Sequence, residues 1–94
     1  MQFRKEQNMP TICMFRGIKI YINYQDHLPP HFHADYGEYQ CSITIDDIEL
    51  LSGSMPNKQL KMLFGWAALH QEELKEEWYL ARLHKELFSI DPLK

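Results

Sequence analysis

Cysteine is scarce: Cys13 and Cys41 stand far apart and form no C-x-x-C pair. Neither a disulfide framework nor a zinc knuckle follows from them, and both are expected as buried thiols. The four glycines, at 17, 37, 53 and 65, are isolated, so no glycine-rich loop exists to cradle ATP or a dinucleotide. There is no G-x-S-x-G elbow, and neither cysteine lies in an electropositive stretch, which leaves covalent acyl catalysis without a nominee. Positive charge is short as well. Ten Lys and Arg stand against thirteen Asp and Glu, a net charge of -3, which argues against non-specific DNA binding. No apolar run approaches the roughly 18 residues that span a bilayer. The first ten residues are charged and polar where a signal peptide would be apolar, so a cytoplasmic protein without a membrane partner is expected.

What the chain does contain is an ordinary globular balance. Its 94 residues are 45% hydrophobic and 24% charged, enough for one domain and too few for two. Residues 1–8 (MQFRKEQN) are polar and aperiodic and read as an N-terminal extension, leaving residues 9–94 as a single domain. Thr11 to Phe15 is rich in strand formers and Arg16-Gly17 is a turn signal. Ile18, Ile20, Ile22 and Tyr24 then alternate with Lys19, Tyr21 and Asn23, which predicts a hairpin. Pro29 and Pro30 supply no ladder donors and make residues 25–30 an extended loop. Alternation resumes from His31 to Tyr36, turns at Gly37-Glu38 and continues from Tyr39 to Ile45. Asp46-Asp47 marks a further turn, and Ile48 to Leu51 a last strand closed by Ser52-Gly53-Ser54.

Beyond Pro56 the period changes. Leu60, Leu63, Phe64, Ala67, Leu74, Trp78 and Ala81 recur at three- and four-residue steps, as an amphipathic helix requires. Ser54 is its expected N-cap, with Pro56 in the first turn. The pattern runs through Lys85 as one long helix or two nearly collinear ones, with a bend near Gly65 or His70 left open. Residues 88–93 are expected to fold back on the core. The fold class is therefore α+β: an antiparallel sheet of four or five strands, one face covered by the C-terminal helix or helix pair, the other wet.

Side-chain parity on the third strand carries the chemistry. His31, His33 and Asp35 fall at i, i+2, i+4 and share one face, with about 6.5–7 Å between successive Cα atoms. Phe32, Ala34 and Tyr36 take the other. The polar trio joins Lys19, Tyr21, Gln40, Ser42 and Thr44. One reading is acid–base work on an RNA or nucleotide phosphodiester. His31 and His33 would exchange proton roles, Asp35 or Glu38 would orient one imidazole, and Lys19 or Arg16 would hold phosphate. A second is a divalent metal, zinc or iron, on His31, His33 and Asp35, joined by His27 or His70 from elsewhere. The plain structural alternative has histidines that cap backbone groups or pair with a carboxylate, and leaves His27 a solvated loop residue.

On the helix, Trp66, His70, Glu73 and Glu77 line one flank beside the apolar stripe, where His70 can meet Glu73 one turn on. A single histidine rules out an H-E-x-x-H zinc motif. That flank, with Trp78, reads either as a partner-binding surface anchored by aromatics or as a tryptophan at the core margin with a solvated charged face beyond it. His84 supplies a charge favourable to the helix C-terminus.

Together, Met9-Pro10-Thr11-Ile12, Pro29-Pro30-His31-Phe32-His33-Ala34, Tyr36-Gly37-Glu38 and a helix with Trp66, His70, Glu73-Leu74 and Trp78 resemble a widespread bacterial family catalogued as domain of unknown function 4160. The resemblance runs from Met9 to Leu93. It implies that Pro29, Pro30, His31, His33, Gly37, Glu38, Trp66, His70 and Trp78 are motif positions, and it brings no established activity. Members typically begin at the position of Met9. Their genes often neighbour another short protein, which looks like a toxin–antitoxin arrangement and implies a partner made from an adjacent gene. The expectation is thus a toxin–antitoxin-like component acting through protein binding, with phosphodiesterase chemistry at His31 and His33. The alternatives are a metal-binding protein and a non-catalytic, homo-oligomeric binding module.

Overall fold

A computed structural model describes residues 9–94; the expected extension, residues 1–8, lies outside the described residues. Five strands follow one another across an antiparallel sheet in chain order: β1 (Thr11–Phe15), β2 (Ile18–Tyr21), β3 (His31–Tyr36), β4 (Tyr39–Thr44) and β5 (Leu50–Gly53). Two helices complete the α+β fold, α1 (Asn57–Leu69) and α2 (Gln71–Arg82). The two-residue turn at Arg16-Gly17 has positive φ at both positions, 50° and 79°, the backbone twist that matches a tight hairpin. Gly37 opens the β3–β4 turn at φ 57°, so that Tyr36 pairs with Tyr39.

Pairing of Ile20 with Ala34, Ala34 with Cys41 and Phe32 with Ile43 gathers one apolar face. Ile18, Ile20, Phe32, Ala34 and Ile43 are fully buried there, and Cys41 nearly so. Trp66 of α1 seats on this face with its ring 5.8 Å from both Phe15 and Phe32. Each such side chain contributes about 1.5–3 kcal/mol on burial, so the sheet needs the helices to offset its ordering entropy. Both thiols are free and buried, as expected. Burial drives the Cys41 thiol up to about 11, with Asp35 adding to it, and raises Cys13 as well.

The helical segment is two helices that meet at His70, whose φ of -116° interrupts the helical run; Gly65 lies inside α1. The expected Ser54 cap is corrected. The residue before α1 is Pro56, which offers no side-chain cap, and the backbone N–H of Ser54 instead donates to Gln40 O, extending the pairing of β5 with β4. The last strand begins at Leu50 rather than Ile48, which sits in a left-handed turn at φ 54°. Residues 88–93 do return to the core: Ile90 is buried and its N–H donates to Ile12 O on β1. Among the described residues, no helix is long and apolar enough to cross a membrane.

Candidate metal centre

β3 opens at His31, immediately after the loop that carries Pro29 and Pro30. Phe32 and Ala34 enter the core, so His31 and His33 project from the opposite face, where Tyr21 of β2 and Ser42 of β4 flank His33 in register. Upstream, the loop closes on itself. Asp26 N donates to Asn23 O at 3.1 Å, Asn23 N donates to Asp26 Oδ2 at 3.1 Å, and Gln25 N donates to Asn23 Oδ1 at 2.8 Å. These are the short polar turns that Asn and Asp favour, and they turn the Asp26 carboxylate back over β3. Its Oδ2 lies 2.9 Å from His33 Nε2 and 3.5 Å from His31 Nε2. One ligand atom each from Asp26, His31 and His33 lies within 4.8 Å of the others.

The outer partners fix this cluster. His31 Nδ1 donates to Pro29 O at 2.7 Å; a carbonyl only accepts, so the hydrogen of the neutral ring sits on Nδ1 and the lone pair on Nε2 faces Asp26. The ring packs 5.5 Å from Trp78 of α2 and edge-on to His33 at 5.0 Å, which leaves it 8% exposed. Arg82 Nη1 donates to Asp26 O at 2.7 Å and its guanidinium lies over the Trp78 ring, 5.6 Å from the centroid. His33 stacks on Tyr21 with centroids 5.0 Å apart, and its Nδ1 lies 3.1 Å from Ser42 Oγ. The Tyr21 hydroxyl donates to Asp35 Oδ1 at 3.2 Å. Burial first, then the Asp35 charge, pushes it up to about 12, so it keeps its proton. Beside His33 an open depression of about 170 Å³ is lined by Tyr21, Gln40, Ser42, Ser52 and Gly53.

The other expected site residues are distributed elsewhere. Asp35 shares the face but not the cluster, because it lies a further strand step along, opposite Lys19 and Gln40; the carboxylate that meets the imidazoles is Asp26. Glu38 is an exposed turn residue beyond the far end of β3 from His31. Lys19 Nζ sits 5.3 Å over the Tyr21 ring, and Arg16 Nη2 donates to Lys94 O at 3.3 Å. His27 is exposed. His70 does meet Glu73, through Nδ1 and Oε1, and packs on Trp66. These two belong to the junction of α1 and α2 and not to the Asp26 cluster.

The aromatic docking flank is corrected. Trp66 is fully buried with its Nε1 donating to Asp91 O at 2.9 Å, and Trp78 is 7% exposed, so both are occupied inside the molecule. Glu77, expected on the solvated face, is fully buried as well.

The family model described as Domain of unknown function (DUF4160) matches residues 17–79. The chain belongs to that family. The matched span holds Asp26, His31, His33 and Ser42 and ends one residue beyond Trp78. Neither a curated protein nor a solved structure matches the chain. Two contributors escaped the reading of the sequence, Asp26 and Arg82, and a third, Ser42, was placed on the right face without a role. Asp26 lay in a loop without periodicity, where only the Asn23-to-Asp26 turn composition hinted at a folded-back carboxylate. Ser42 had the right parity but no partner assignable without register. Arg82 needed the path of α2.

Proposed function

We propose that this protein binds a divalent transition-metal ion, zinc foremost, through Asp26 Oδ2, His31 Nε2 and His33 Nε2. The observation that carries the reading is the commitment of His31 Nδ1 to Pro29 O, which points a lone pair at a carboxylate oxygen 3.5 Å away. Two acceptors facing each other in this mostly buried site repel until a cation, a proton or a metal ion, lies between them. Zinc with ligands at about 2.0–2.1 Å in tetrahedral array keeps ligand atoms about 3.3 Å apart, and the 2.9 and 3.5 Å separations bracket that span. Two imidazoles and one carboxylate leave a fourth position open, the pattern of reactive rather than purely structural sites. Hydrogen bonds to the outer ring nitrogens support it, since such partners orient metal-binding histidines.

The test is metal analysis of protein purified without chelator, followed by calorimetric titration with zinc chloride. About one equivalent per chain is expected for the wild type, with binding lost in Asp26→Asn, His31→Ala and His33→Ala. Absence of both bound metal and binding heat would refute the reading. A second reading, acid–base cleavage of a phosphodiester by the imidazole pair, is favoured by the Arg82 guanidinium anchored on the Asp26 carbonyl. It requires RNA or cyclic nucleotide turnover that persists in chelator and disappears in His33→Ala. A partner from an adjacent gene would have to dock outside Trp66 and Trp78, and co-expression with that gene product tests this.

A further inference from the structure

Ser42 lies on β4 directly across from His33, is 7% exposed, and places Oγ 3.1 Å from His33 Nδ1. The opposite edge of the ring meets Asp26 Oδ2 at 2.9 Å. A neutral imidazole carries one N–H, and a carboxylate only accepts. With no ion bound, Nε2 therefore holds the hydrogen and donates to Asp26, while Nδ1 is the acceptor filled by the Ser42 O–H. A metal on Nε2 needs that lone pair, so the hydrogen must reside on Nδ1 and the bond to Ser42 must reverse direction. The ring has one N–H before and one after; Nε2 gives its proton to solvent and Nδ1 takes one back. His31 has no such choice, because Pro29 O holds its Nδ1–H in both states. A hydroxyl is suited to the position beside His33 because it can donate or accept without moving its oxygen.

We propose that Ser42 is the positioning residue of the metal centre, donating to His33 Nδ1 in the metal-free protein and accepting from it in the loaded one. Loading thereby turns the Ser42 hydrogen away from His33 and frees it for the depression shared with Tyr21, Gln40, Ser52 and Gly53. The assignment rests on the metal reading above, and the experiment separates the two.

Histidine-nitrogen NMR of the full chain, with His33 assigned through His33→Ala, reports which ring nitrogen carries hydrogen before and after one equivalent of zinc. The expected result is hydrogen on Nε2 without metal and on Nδ1 with it. Ser42→Ala should weaken zinc binding by about 10- to 100-fold, the loss typical of removing an outer partner, and Ser42→Thr should restore it. If zinc binds but metal-free His33 already carries its hydrogen on Nδ1, or Ser42→Ala binds zinc as tightly as wild type, the Ser42 assignment is overturned and the metal centre stands. If the wild type binds no zinc, both fall together. A serine that only supports the fold would lower the melting temperature in Ser42→Ala and leave zinc affinity and the His33 hydrogen unchanged.

Discussion

Replacing Glu77 by Gln should stabilise the protein at pH 8 and leave it almost unaltered at pH 4. Glu77 projects from α2 into the interior with no exposed surface. Its Oε1 accepts the Phe88 N–H at 3.0 Å, and Oε2 has no hydrogen-bond partner among the described residues. Burial raises its carboxyl from the ordinary 4.5 to about 7, the Phe88 N–H opposing and Glu76 and Glu73 adding to the rise. The folded state thus holds the proton more tightly than the unfolded chain. Stability is complete below pH 4.5, declines as pH rises towards 7 and is flat above, because in that window only the folded state stays protonated. At 1.36 kcal/mol per pH unit the loss comes to about 3 kcal/mol. Gln keeps an acceptor for Phe88 and cannot ionise. Urea unfolding of wild type and Glu77→Gln at pH 4, 6 and 8 should show a stability difference that grows from near zero to about 3 kcal/mol; each kcal/mol moves the melting temperature of a domain this size by about 4–8 °C. A difference that is constant with pH, or absent at pH 8, would refute the ionisation argument.

Four further substitutions probe other parts of the structure. Trp66→Ala should cost about 3–5 kcal/mol, seen as a large fall in urea midpoint, since the ring fills the space between Phe15 and Phe32. Gly53→Ala should exceed the roughly 1–2 kcal/mol of a left-handed residue, because φ is 82° and a Cβ there meets Gln40 O at 2.2 Å. Gly37→Ala, with φ 57° and nothing among the described residues within 4 Å of the added atom, should cost only about that conformational amount, and amide exchange should show β5 loosened in Gly53→Ala and not in Gly37→Ala. His84→Gly should gain up to about 1 kcal/mol in thermal unfolding by relieving φ 56° just past α2, less what the Tyr24 ring contact contributes.

Much of the architecture was legible because periodicity is a local property. The alternation through Phe32, Ala34, Cys41 and Ile43 told which side of β3 and β4 is apolar, and the same parity placed His31, His33, Tyr21 and Ser42 together on the other side. The change to a three-to-four step at Leu60 announced helix, but the interruption at His70 has no breaker residue to announce it. Burial of Glu77 was hidden for a related reason: its place on the helix wheel adjoins the apolar stripe, and only the returning segment at Phe88 seals it from water.

The amino-acid order by itself settled the α+β class, the outward parity of the two imidazoles and the family, since each depends on neighbours a few residues apart. Tertiary structure decided which carboxylate they meet. Asp35 is two residues from His33 and stays on its strand beside Tyr21, whereas Asp26, seven residues away, is folded over the imidazoles by the Asn23 turn and held by Arg82 from the far helix. A contact of that kind depends on the path of a loop and the docking of a helix, which no alternation along the chain encodes.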